Sequence, residues 1–169
     1  MASLAVSRRT LPLLASALLL RAQPPRLPFR LQSRQLADVR IALRAATTKP
    51  GSGRDEIVIT GDGKVSLRTS TYAPSPPQER TGSFPPAALE RLLELFALEG
   101  IDTWDDAYPA INSHYDTKVL SVEFRGTLLK QIVMARPEFP AFAHAVGALK
   151  LLAAQACPDA LNRAFLPRL

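Results

Sequence analysis

Only one cysteine, Cys157, occurs in the 169 residues, so no intramolecular disulfide can form and cysteine-rich zinc motifs are excluded. A lone thiol near the end of an apolar helical stretch reads as a small buried hydrophobe. Long apolar runs are also missing. The longest, Leu11 to Leu20, spans ten residues and already contains Pro12 and Ser16, whereas a membrane-spanning helix needs about 20. No stable membrane anchor is expected. There is no serine in a Gly-x-Ser-x-Gly elbow and no glycine-rich phosphate loop. Gly51-Ser52-Gly53 lies between two strand patterns, without the following helix that would hold a phosphate. Nothing calls for a cofactor.

Acidic residues are absent until Asp38, and six arginines precede it: Arg8, Arg9, Arg21, Arg26, Arg30 and Arg34. From Asp38 onward 15 basic residues face 15 acidic ones, so the formal charge of +6 belongs wholly to the first 37 positions. A nucleic-acid-binding surface draws its affinity from clustered positive charge on the folded domain. Here that domain is neutral, which argues against a nucleic-acid partner.

The basic N-terminal part has the order of a targeting leader. Ser7-Arg8-Arg9-Thr10 supplies charge, Leu11 to Leu20 an apolar core, and a small residue, Ala22, follows as the cleavage position. We read residues 1–22 as a cleavable signal and 23–37, with its prolines and arginines, as a flexible linker. The arginine pair followed by Thr-Leu-Pro-Leu-Leu resembles a twin-arginine export signal. The expected destination is the periplasm or the outside. A mitochondrial transit peptide is the alternative, because arginine-rich, acid-free leaders serve there too. Pro12, Pro24, Pro25 and Pro28 work against the amphipathic helix that import requires.

Residues 38–169 carry the patterns of one α+β domain. Val39, Ile41 and Leu43 alternate with arginines, the period of a half-buried strand. Residues 56–60 and 64–69 flank Gly61-Asp62-Gly63, which suits a tight hairpin turn. Residues 73–86 hold five prolines and are expected to be irregular. Pro85-Pro86 then opens a helix whose Leu89, Leu92, Leu93 and Phe96 fall on one face, with Gly100 ending it. A second hairpin is expected over 118–124 and 127–135, turning at Arg125-Gly126. A last helix, opened by Pro137 and Pro140, runs to about Cys157, with Phe142, Val146, Leu149 and Leu152 in a stripe. The expected fold is an antiparallel sheet of about five strands, two hairpins plus an N-terminal strand, with two helices packed on one face.

One region carries chemically suggestive residues. Asp102, Asp105, Asp106 and His114 stand close in sequence and could ligate a hard cation, but their spacing is not that of a calcium loop. Trp104 and Tyr108 among them are read as anchors that pack this loop, and no metal or catalytic residue is assigned. Cys157 and His144 stand about 20 Å apart along one helix by its rise per residue, too far for a catalytic pair.

The layout of Gly61-Asp62-Gly63-Lys64-Val65, Gly82 to Pro85, Trp104 to Tyr108 and Asp116 to Phe124 resembles that of small exported bacterial domains without an assigned role. It is similar in outline to emfourin-type protein inhibitors of metallopeptidases, over about residues 38–152. The Ser-Gly-Gly loop typical of those inhibitors is replaced here by Thr47 to Gly53, and no functional residue is carried over. The resemblance implies a binding module that acts on another protein. The contact residues expected are Thr48, Lys49, Ser75, Gln78 and Arg80, on irregular connections of the kind that carry recognition. The alternative is a structural or accessory subunit of an envelope or organellar assembly, and after it a metal-dependent enzyme built on the four acid-loop residues.

Overall fold

The computed structural model describes residues 33–46, 53–70, 76–110, 116–135 and 137–158. The expected leader at 1–22 and the candidates Thr48, Lys49, Ser75 and His114 lie outside them. Within them the α+β expectation holds, and the sheet is larger than expected.

The chain enters through a helical turn, α1 (Ser33–Leu36), and a first strand, β1 (Val39–Ala46). Leu36 is 1% exposed and belongs to the core, so the packed part includes at least the two residues ahead of Asp38. β2 (Arg54–Thr60) and β3 (Lys64–Ser70) form the hairpin around Gly61-Asp62-Gly63. There the Lys64 amine, and after it the Thr60 hydroxyl, hold the Asp62 carboxyl below its ordinary range. The second hairpin is β6 (Thr117–Phe124) and β7 (Thr127–Met134). Its two turn residues, Arg125 and Gly126, both take positive φ, 51° and 73°, the backbone that two-residue hairpins favour. Arg125 tolerates this position while its guanidinium reaches Asp38 Oδ2 at 2.9 Å and its amide donates to the Asp38 carbonyl.

Two strands arise where sequence pattern placed none. β4 (Gln78–Ser83) pairs with β3 inside the proline-rich connection expected to be irregular. Its prolines flank the strand instead of interrupting it, and its polar residues lack the apolar alternation that marks a strand. β5 (Ala107–Tyr108) is a two-residue strand in the acidic loop, parallel to β7. Among the described residues the result is a mixed seven-stranded sheet in the order β4-β3-β2-β1-β6-β7-β5, antiparallel except at that last pair.

One face of the sheet is apolar through its middle. Ile41, Leu43, Ile57, Ile59, Val65, Leu67, Leu120, Val122 and Ile132 are all buried there. Against them pack α2 (Pro86–Leu98) and α3 (Pro140–Ala156), which bury Leu89, Leu92, Leu93 and Phe96, and Phe142, Val146, Leu149 and Leu152. Both helices begin with proline in the first turn, where its missing N–H is not needed. On the other face no described element covers the sheet. It carries cross-strand pairs instead, Arg40 to Glu123 at 2.9 Å and Arg44 to Glu56 at 2.6 Å.

Candidate functional site

The acidic loop is held by its aromatic residues. Trp104 packs edge-on to Phe139 at 4.9 Å and lies 6.1 Å from Phe142, while Tyr108 lies 5.1 Å from Phe139. The Trp104 indole N–H donates to the Glu99 carbonyl, which ties the loop to the end of α2. The Tyr108 hydroxyl accepts from the Asp105 amide. Lys130, on β7, donates to the Trp104 carbonyl and to Asp106 Oδ1. Trp104 and Tyr108 therefore act as anchors, on the approach to α3. Of the metal candidates, Asp102 is half-buried in a 3-10 turn (Ile101–Thr103), Asp105 is exposed and Asp106 faces the Lys130 amine. Among the described residues no group of three or more His, Cys, Asp or Glu side chains is placed to hold a metal ion.

A second polar set comes together only through strand register. Asp55 is wholly buried and accepts from the Thr69 hydroxyl at 2.6 Å. By register Thr69, Asp55, Ala45, Lys118 and Met134 form one row across β3, β2, β1, β6 and β7 on the helix-covered face. Lys118 is paired with Glu138, just before α3. Lys150, half-buried on α3, completes the cluster. Burial, and then the nearby charge of Lys118, pull its amine below the ordinary lysine value, and Glu138 works the other way. These residues were not singled out by motif. Their phase marks them: Asp55 keeps step with Ile57 and Ile59, Thr69 with Val65 and Leu67, and Lys118 with Leu120 and Val122. A polar residue in the inward phase of a strand is a candidate in its own right, because burial without partners is costly.

This row lies at the sheet end where β1, β3 and β7 finish and β2, β4 and β6 begin, the end that borders residues 47–52 and 71–75. Of the five contact residues expected, Gln78 and Arg80 are described, and both are exposed on β4. Among the described residues β4 is the last strand on its side of the sheet.

Cys157 is buried at the end of α3, its thiol pushed up by burial and partly drawn back by Arg80. His144 is exposed, and its Nδ1 meets Glu99 Oε1 across α2 and α3. The two do not form a pair. No helix among the described residues is long and apolar enough to cross a membrane. No known protein family's pattern matches the chain, and no curated protein matches it significantly in sequence.

Proposed function

We propose that the chain is a small exported binding module, inhibitor-like in plan, that acts on another protein in the periplasm or outside. The observation that carries this reading is β4: a polar, exposed strand at the sheet's edge that presents Gln78 and Arg80 beside the sheet end bordering 47–52 and 71–75. Thr48, Lys49 and Ser75 belong to those two segments and complete the proposed contact set. Polar connections raised on a packed sheet are where recognition concentrates.

The test is a photo-crosslinking residue placed at Gln78 or Arg80, with the protein kept in its own cells. One specific cross-linked protein in the envelope or medium fraction is expected, and none from the same probe at Glu90 on α2. Intact mass of the same material should give a chain beginning near Gln23. An uncut cytoplasmic chain would end the export part of the proposal.

The accessory-subunit reading is favoured by one feature, the uncovered sheet face. Val58, Val119 and Val133 are half-buried there, in a surface that no described element packs against. That reading expects the purified chain to self-associate or to be unstable alone. A monomer with a sharp unfolding transition decides against it. For the enzyme reading the check is ion content: Asp105→Ala with Asp106→Ala should leave any bound divalent ion unchanged if no metal site exists there.

A further inference from the structure

The two edges of the sheet differ in a way that bears on how a partner is held. Beside β7 the edge is blunted three times over. β5 covers only Val133 and Met134, a bulge interrupts the register opposite Val122 and Glu123, and Lys130 points inward. Natural proteins use these devices to keep strangers from pairing. Among the described residues β4 has no covering strand and no bulge, and its one helix-side charge, Arg80 opposite Leu67, stays exposed. All six residues keep register with β3, from Lys64 opposite Ser83 to Thr69 opposite Gln78, with no bulge, lysine or proline inside the strand.

The direction of its backbone groups follows from one bond. The Phe84 amide donates to the Gly63 carbonyl at 2.8 Å. In an antiparallel ladder the bonded residues alternate, so Gln78, Arg80 and Gly82 face β3, and Glu79, Thr81 and Ser83 turn their N–H and C=O groups outward. Their side chains lie on the uncovered face, opposite Arg68, Ser66 and Lys64. On that face one cross-strand row reads Arg44, Glu56, Arg68, Glu79 along β1, β2, β3 and β4. Charge alternates strand by strand, and the row stops on a carboxylate at the edge.

We propose that β4 receives an extended segment of a partner protein as an eighth strand, with a lysine or arginine of that segment opposite Glu79. This rests on the protein-binding reading above and names its mode and its partner's chemistry. Main-chain bonds from Glu79, Thr81 and Ser83 give the affinity, and the charge row gives the selectivity, as in other strand-addition complexes. A second copy of this chain fits less well. Antiparallel pairing of two β4 strands through their outward residues sets Glu79 opposite Glu79, Thr81 or Ser83, and never opposite a base. On the helix side the incoming residue must be small, because Ala156 and Cys157 already fill the space beneath Gly82.

The experiment uses the full chain and two blocked hexapeptides of alternating threonine and valine. One carries a central lysine and the other a glutamate in that place. Amide hydrogen exchange and chemical shifts are followed by NMR. The lysine peptide should protect the Glu79, Thr81 and Ser83 amides and bind about two- to fivefold more tightly than the glutamate peptide, the range of a cross-strand charge pair. Glu79→Lys should reverse that order. Thr81→Pro removes an N–H that points away from β3, so it should keep the fold and abolish peptide binding. Equal affinity for both peptides, or protection elsewhere on the sheet, overturns the proposal. So does protection without peptide that grows with protein concentration, which would place a second copy on the edge. If Thr81→Pro keeps the cross-linked partner, strand addition fails while the binding reading stands.

Discussion

At Gly82 the absence of a side chain is a packing requirement. A Cβ there would stand 2.1 Å from the Ala156 carbonyl oxygen and 2.6 Å from Cys157 Sγ, so α3 closes over β4 only because the position is glycine. Gly82→Ala is expected to lower unfolding stability by about 1–3 kcal/mol, the usual cost of forcing atoms into a packed site, read as a lower urea midpoint. Adding Cys157→Ala should not restore it, since the shorter of the two contacts is to backbone. Cys157 itself should react slowly. Its thiol is buried and pushed up by that burial, and the thiolate is the reactive form. Alkylation at pH 8 should therefore be much slower in the native chain than in urea. Equal rates would mean that the end of α3 opens freely. Asp55 illustrates why residue identity alone is a poor guide to role: the same carboxylate would be solvated one position along the strand, yet in the inward phase it needs the Thr69 hydroxyl.

Elements with strong periodicity were legible in the sequence, and those built by pairing were not. α2 and α3 bury the residues their 3.6-residue period selects, and both hairpins follow their turn residues. β4 and β5 have no apolar period, because one is exposed on nearly every position and the other is two residues long. They exist by hydrogen bonding to a neighbour already in place. The same contrast makes a prediction within α2, where Phe96 is wholly buried and Leu98 is 84% exposed. Phe96→Ala should cost about 3–5 kcal/mol, and Leu98→Glu should stay within about 0.5 kcal/mol of the parent. In α3, Lys150 sets a pH dependence. Its amine is held below the ordinary value of 10.5 by burial and by Lys118. Between the lowered value and 10.5 the unfolded chain binds more protons than the folded one, so stability rises with pH through that window. Below it both states are protonated and the full penalty persists. Lys150→Met should flatten the rise in urea midpoint towards pH 10. A parallel rise in parent and variant would assign it to other groups.

On the scale of the whole molecule, the α+β class and one apolar face were readable because alternation and helical period agree on which residues turn inward. The candidate site was not, because it depends on which strands end together and which strand is left at an edge, and neither is local in sequence. The beginning of the packed part is a related case. Leu36 lies in a stretch whose composition reads as linker, yet it is 1% exposed, and Asp38 and Gln35 close the turn behind it by an amide-to-carbonyl bond of 3.2 Å. Burying a leucine fully is worth about 1.5–3 kcal/mol. A chain starting at Asp38 should therefore be less stable than one starting at Ser33 by about that amount, measured as the difference in urea midpoint at matched slope. The result bears on processing. Cleavage near Ala22, as export predicts, keeps Leu36 in the mature chain, whereas an organellar cut close to Asp38 would remove it. Equal midpoints for the two truncations would show that Leu36 adds nothing, and the fold would then give no reason to prefer the earlier cut.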